Sequence, residues 1–489
     1  MSSTGRKEKK SVQADVVVVG GGTAGFVAAT AAARNGAKVI LTEQENFLGG
    51  TQTGGLVMMI RSMRHMKGPK DEEDKRTMHT SYESSYDDQQ LVFSIAQEFV
   101  DRMLDLNSAW GIKGQAATRQ MFDPEIAKWV MEQMVKEAGV DLWYYSHVSD
   151  VLLDGRTVKG VAVEDPHART EINAKVTIDA TGDGDVCAGA GAEFYLGDPQ
   201  KGRCQPLTLY YVIGGVNLDK TFDYIGKHPE EFGLNYSERL LRMRNEGKPT
   251  MLSGFVAQAR EAAKNGDYPV AYGKTEPNPG LLHFTYPMFK MGKFRDATYH
   301  NMDMAYDVDP TDKRELTRAT VAMRDMAVKM ANFFRKYVPG YEDSYLLQTA
   351  QLIGIRDSRR IIGEYTVTKE DALAGRAFAD GIGRYGSVMD VHDKEGTKSL
   401  LLTEVGGSGW FHIPFGTLLP RGTRGLLVAG RCISADHIVM GCTRSQAACM
   451  ITGQAAGTAA AMASRMNVDP REVDIADLQR TLAAQNQLI

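Results

Sequence analysis

A chain of 489 residues exceeds the size at which one hydrophobic core normally stops growing, so two domains sharing an interface are expected. Its 43% hydrophobic and 24% charged residues are ordinary for a globular protein, and a net charge of -4 supplies no general attraction to nucleic acid or an anionic membrane, which leaves a small molecule as the expected partner. Cys187, Cys204, Cys432, Cys442 and Cys449 form an odd set without a CxxC pair, which argues against a disulfide framework and against ordinary zinc or iron-sulfur ligation; no metal is expected, and a cytoplasmic location fits.

Arg6, Lys7, Lys9 and Lys10 precede an interrupted apolar run that enters a glycine-rich segment, which does not read as a secretory leader. Asp15 to Val19 is a short β-branched strand, Gly20 to Gly25 punctuates it, an alanine-rich helix is expected from Thr23 to Asn35, and a second strand from Lys38 to Thr42. Residues 51–114 lose clear periodicity and contain the polar stretch Lys67 to Arg76, read as a solvated loop. Met58, Met59, Met63 and Met66, interleaved with Arg61, Arg64 and His65, read as core packing. Asp123 as N-cap and Pro124 at the first helical position start a helix that runs to Val135 and stops at Gly139.

Strands are expected within 141–178, ending in Val176-Thr177-Ile178, and again at 205–213 and 281–287, where the alternation of strand and helix is lost and antiparallel pairing is expected. An amphipathic helix from about Arg314 to Tyr337 should cover that second unit. The apolar stretch 446–463 is broken by Gly453, Gln454 and Gly457 and is not read as a membrane span.

Gly20-x-Gly22-x-x-Gly25 lies between strand and helix, with Ala29 allowing that helix to pack closely on the sheet. Gly20 permits the tight turn, Gly22 leaves room for a pyrophosphate, and Thr23, Ala24 and Gly25 open a helix whose N-H groups and dipole favour its charge. Glu43, 23 residues after Gly20 and followed by Gln44, is placed to accept the ribose hydroxyls. Gly49-Gly50, then Thr51, adds a second glycine pair that NAD enzymes seldom carry. FAD is therefore the expected cofactor.

On these residues and four further blocks, the chain resembles the FAD-dependent oxidoreductase family that is distantly similar to the fumarate reductase and succinate dehydrogenase flavoproteins. The further blocks are Phe122 to Glu125 with the strand around Val148; Ile178 to Asp185, containing Ala180-Thr181-Gly182; Gly354 to Arg360 with Gly363-Glu364 and Asp390-Val391-His392; and Leu427 to Ser434 with Gly430-Arg431, continuing through His437, Arg444 and Gly453-Gln454-Ala455-Ala456-Gly457. The resemblance implies an α/β protein: a discontinuous Rossmann-type FAD-binding domain (14–200 and 350–470, with 51–114 as a variable insertion or cap) and a mixed α+β substrate domain (201–349). It also implies cofactor contacts from Val148, Ala180, Thr181, Gly182, Asp185, Gly430, Arg431, Gly453, Ala455 and Ala456. A second dinucleotide fingerprint for a nicotinamide cofactor is not read, and Gly430-Arg431 stands where flavin hydroxylases carry Gly-Asp.

Flavin chemistry needs a held substrate, a group that handles a proton and often a cation. His437, Arg444, His392 and Arg356 are the catalytic candidates. Arg356 and Arg360 would share a face if their segment were helical. The expected activity is oxidation of a small organic molecule by hydride transfer to flavin N5, with reoxidation by oxygen or an external acceptor. Reduction of an activated double bond with electrons from a partner, a non-redox flavoprotein or isomerase, and a simple NAD dehydrogenase are the alternatives, the last disfavoured by Gly49-Gly50. A homo-oligomer is compatible with the sequence, which identifies no electron acceptor.

Overall fold

The valine run of the first strand lies at the centre of the largest sheet. The computed structural model describes residues 8–65, 89–199, 202–247, 250–277, 279, 283–286, 296–301, 304–392 and 401–489. Strand β1 (Glu8–Val19) leads into α1 (Thr23–Arg34) and then β2 (Val39–Thr42), which pairs with β1 in parallel from Val16↔Val39 to Val19↔Thr42. Helix α2 (Pro124–Glu137) starts as expected, the Asp123 carboxylate accepting from the N-H groups of Glu125 and Ile126. Strands β3 (Asp141–Trp143), β4 (His147–Asp154), β5 (Thr157–Glu164) and β6 (Ala168–Asp179) complete this half, in the order β3-β2-β1-β6-β5-β4. The β3, β2, β1 and β6 strands run parallel, and β5 and β4 close the sheet antiparallel.

The valine run marks only the inner half of β1. The strand reaches back to Glu8, pairing with β6 from Glu8↔Ala168 onward; in its outer half Lys9, Lys10, Ser11 and Gln13 are exposed, and the segment carries no apolar alternation for a sequence reading to detect.

A second, antiparallel sheet contains β7 (Tyr211–Gly214), β8 (Thr250–Ser253), β9 (His283–Tyr286), β10 (Thr298–His300) and β11 (Tyr345–Thr349), in the order β8-β9-β10-β7-β11. Helix α3 (Lys313–Tyr337), capped by Asp312, covers it with Met330, Phe333 and Phe334. These residues form a core separate from that of the first sheet, with buried His300 stacked on Tyr211 at 4.9 Å between ring centroids.

The chain then returns to the first sheet. Strand β12 (Leu426–Val428) pairs in parallel with β6, beginning at Leu426↔Thr177, and α4 (Gln446–Met466) crosses α1. A Cβ at Gly453 would stand 2.4 Å from the Ala24 carbonyl oxygen and one at Gly457 2.2 Å from that of Ala28, so these glycines let the two helix backbones approach closely. The fold is thus α/β, with a Rossmann-type sheet assembled from both ends of the chain and a mixed α+β unit between them. Among the described residues no helix is long and apolar enough to cross a membrane.

Three local readings are corrected. Arg359–Ile361 is a strand, antiparallel to Phe194–Leu196, so Arg356, Arg359 and Arg360 share no helix face. Within 51–114, Ser94–Asp105 is a helix whose Ile95, Phe99, Val100 and Met103 recur at helical spacing and are buried; the Phe99 ring lies 5.9 Å from that of Phe26 in α1, so this part of the segment belongs to the Rossmann core. Gly381-Ile382-Gly383-Arg384-Tyr385-Gly386 has the spacing of a second fingerprint, yet it runs along a strand antiparallel to Phe411–Pro414 with no helix behind it, and so lacks the strand-turn-helix context of a nucleotide site. Met58 and Met63 are buried in the first core and Met59 packs against it, while Met66 and Lys67 to Arg76 lie outside the described residues.

Candidate active site

The fingerprint glycines have different physical reasons to be glycine. Gly20 turns with φ +93°, and a Cβ there would meet the Ala180 carbonyl oxygen at 2.7 Å; a Cβ at Gly25 would lie 1.8 Å from the Gly20 carbonyl oxygen. Both are demanded by the protein's own packing. Gly22 is not: its φ of -64° suits any residue and a Cβ would meet nothing within 4 Å. The bare face leaves room for a pyrophosphate to approach the N-terminus of α1.

Gly49 stands directly beside Gly22, its N-H donating to the Gly21 carbonyl at 2.8 Å, so the second glycine pair borders the same open space. Buried Glu43 accepts from the Gly21 N-H at 2.7 Å and from the Glu45 N-H at 2.9 Å; burial pushes its carboxyl above the usual range, with those N-H bonds opposing. Gln44 beside it is exposed. The N-H of Ser146, two residues before Val148, donates to the Glu43 carbonyl at 2.9 Å, which brings the start of β4 beside Glu43. The sequence pattern does not single out Gln52. Gln52, fully buried next to Thr51, accepts from the Thr23 hydroxyl at 2.9 Å and leaves its Nε2 without a partner, an unused donor beside the bare glycine face. The open Gly22 face, the adjoining glycine pair and this donor fit a dinucleotide.

On the other side of β1, buried Asp179 accepts from the Thr181 N-H and hydroxyl and from the Cys187 N-H, which shapes the Ala180-Thr181-Gly182 turn. Gly430, where β12 ends, donates to the Thr452 hydroxyl at 3.1 Å. Some expected contacts have other occupations. Arg431 is engaged by Asp183 at 2.7 Å and by the Ile355 carbonyl, and Asp185 by Arg359 at 2.7 Å, so these charges clamp loops together. Gly453, Ala455 and Ala456 are buried in α4, and Gly453 packs against α1.

Three of the four catalytic candidates meet. Asp390 and His392, at the end of the strand Met389–Val391, face Arg61, Arg444 and Arg356, which arrive from three distant segments. The Arg61 Nη1 lies 2.8 Å and the His392 Nε2 3.3 Å from the Asp390 carboxylate, and the Arg444 Nη2 donates to the Asp390 carbonyl at 2.9 Å. Arg356 donates to the Pro206 carbonyl at 2.8 Å and to the Thr208 hydroxyl. Burial works against ionisation of Asp390, but His392, Arg61 and Arg444 together hold its carboxyl well below the usual range. Burial, reinforced by Arg356, pushes His392 down to about 3, so its ring is neutral at ordinary pH. Burial also lowers Arg444 to about 10 and raises Tyr210, which feels Arg356, to about 12.

His437 lies apart from this group. Its Nδ1 is 3.6 Å from Oδ2 of Asp357, a fully buried carboxylate anchored by Arg360 at 2.8 Å, and burial lowers the imidazole pKa. Sequence reasoning missed Gln205 and Tyr210, which precede the second sheet and resemble no motif. All five cysteines are buried and free.

A split Rossmann sheet with an open glycine cradle and a cluster of partly buried charges suits a dinucleotide-binding oxidoreductase. The chain belongs to the FAD dependent oxidoreductase family, whose model matches residues 15–482. It is an FAD-dependent oxidoreductase, with FAD as its cofactor. No curated protein sequence matches it significantly. Among solved structures it is similar to a geranylgeranyl bacteriochlorophyll reductase-like protein from Thermoplasma acidophilum (12% identity, 98% of this chain and 85% of that one, TM-score 0.44). It is also similar to the p-nitrophenol 4-monooxygenase of Pseudomonas putida (11% identity, 98% and 89%, TM-score 0.42) and the L-proline dehydrogenase of P. horikoshii (14% identity, 99% and 100%, TM-score 0.35).

Proposed function

We propose that the protein oxidises a small organic molecule, with hydride transfer to flavin N5 and reoxidation by oxygen or an external acceptor. The observation that carries this reading is the convergence of His392, Arg356 and Arg444 on Asp390 from separate parts of the chain. Bound FAD supplies the two-electron acceptor. Gly22, Gly49-Gly50, Glu43 and Gln52 would hold its ADP half, with Thr23, Val148 and the Ala180-Thr181-Gly182 turn around them. Arg356 and Arg444 orient the substrate. Neutral His392, held by Asp390, accepts the proton that leaves as the substrate is oxidised. His437, set against Asp357, is the second proton-handling group.

In this reading residues 14–200 and 350–470 form the FAD domain and 201–349 the substrate domain. The five free cysteines suit a reducing cytoplasm. The same cations would stabilise charge developing on an acceptor, so reduction of an activated double bond, as in the fumarate reductase and succinate dehydrogenase flavoproteins that the sequence distantly resembles, is the second reading.

The purified protein should be yellow and release FAD on denaturation. An anaerobic screen of small molecules should then find compounds that bleach the flavin, with peroxide formed on admitting air if oxygen is the acceptor. A protein that photoreduces normally but is bleached by no compound would overturn the oxidase reading in favour of the non-redox one.

A further inference from the structure

We propose that the cluster of Arg356, Arg444, Gln205 and His392 binds the carboxylate of a small organic acid, and that such acids are the substrate class. The inference deepens the functional reading above and rests on it. Its basis is a charge imbalance. Arg61, Arg356 and Arg444 bring three positive charges together, and Asp390 is the carboxylate that faces them. Arg61 is bound to that carboxylate. Arg356 and Arg444 form no ion pair among the described residues: their partners are the Pro206 carbonyl, the Thr208 hydroxyl and the Asp390 carbonyl, all neutral. Tyr210, whose phenol burial pushes up to about 12, and Tyr306 are the other groups that act on Arg356, and neither is a carboxylate; Asp357, which acts on Arg444, is already paired with Arg360. A partly buried guanidinium without a counter-charge is costly, so two such groups near one carboxylate, with no further acidic partner among the described residues, favour an anion there.

Unused hydrogen-bonding atoms provide a second, independent observation. Gln205 is 3% exposed; its Oε1 accepts from the His392 N-H at 3.2 Å, while its Nε2 is buried with no partner. Nε of Arg444 is likewise buried and unpartnered. The cluster therefore offers spare N-H donors as well as spare positive charge, the complement of an acceptor-only group. A carboxylate suits the chemistry because a short acid held at its oxygens puts the adjacent carbon, and the hydroxyl or amine on it, within the same small site. Bound FAD would supply the acceptor for the hydride, the C-H hydrogen with its electron pair, and His392 is placed to take the O-H or N-H proton, so that a C=O or C=N bond is left.

The test is a titration of the FAD-loaded protein with acetate, oxalate and benzoate, with their neutral counterparts acetamide and benzamide, and with inorganic phosphate, following the flavin absorption band and the thermal midpoint. At least one carboxylate should bind saturably, with benzamide and acetamide weaker than benzoate and acetate by about 10-fold or more. Arg356→Gln and Arg444→Gln should each weaken that binding about 30-fold or more while FAD content is retained. Arg444→Lys and Arg356→Lys, which keep the charge, should restore part of it and stand in if the glutamine variants do not fold. Amides binding as well as acids, or phosphate outcompeting every carboxylate, would overturn the proposal. So would variants that lose FAD in step with the anion, since the cluster would then serve the cofactor. A wild-type protein without FAD would instead overturn the flavoenzyme reading, and the thermal midpoint would still report whether the cluster takes acids.

Discussion

The nucleotide cradle and the charge cluster achieve recognition by opposite means. Around Gly22 the working surface is backbone, arranged by a turn, a helix start and an adjacent glycine pair, all within residues 20–52. Around Asp390 the working surface is side chains, brought from residues 61, 205, 356, 392 and 444, all but the first of them in loops or turns between elements. A backbone site stands or falls with steric access. A side-chain site stands or falls with charge balance.

The largest effect that should separate the two is at Gly25. Gly25→Ala places a methyl group 1.8 Å from the Gly20 carbonyl oxygen, and the expected outcome is no folded protein, read from soluble yield and thermal unfolding. Asp390→Asn should come next: it leaves buried cations without their counter-charge and is expected to cost about 3–5 kcal/mol in denaturant unfolding, with the cradle still able to bind FAD. Gly22→Val sharpens the contrast from the other side. Its Cβ has open space, so the protein should unfold at the wild-type midpoint without cofactor, while FAD affinity measured by fluorescence falls by about 100-fold. Wild-type FAD affinity in that variant would show that the bare face of Gly22 is not where the pyrophosphate lies.

The smallest effect is a slope. His392 and His300 are both pushed down to about 3, His392 by burial together with Arg356 and His300 by burial alone. Between the unfolded value of 6.5 and about 3, the unfolded chain takes up protons that the folded chain refuses, so stability falls as pH falls. Removing one such group with His300→Phe should flatten that fall by up to about 1.4 kcal/mol per pH unit, measured as urea midpoints across the window. An unchanged slope would mean that His300 titrates alike in both states.

The same division explains what the sequence could disclose. The β1-α1-β2 unit, α2 and α3 follow from periodicity and caps that lie within a few residues of one another. So does the glycine cradle, whose parts are local. The helix Ser94–Asp105 also has a readable pattern, but the long polar stretch 67–76 ahead of it masks that pattern when 51–114 is taken as one segment. Arg359–Ile361 misled because spacing alone cannot tell a helix from a short strand whose partner, Phe194–Leu196, lies far away in the chain. His392, Arg356 and Arg444 could be named as reactive residue types. That they share Asp390, and that Gln205 completes the group, depends on tertiary packing that no local pattern encodes.

The return of the chain to α1 and β6 also bears on how the molecule is made. A ribosome releases β1, α1 and β6 long before β12 and α4, so the growing chain holds a sheet edge and an alanine-lined helix face whose partners have not been synthesised. Completion of the cofactor domain is thereby deferred to the end of translation. The early segment has to remain uncommitted in the interval, and a chain released before residue 426 would expose a sticky half-sheet to chaperones and proteases.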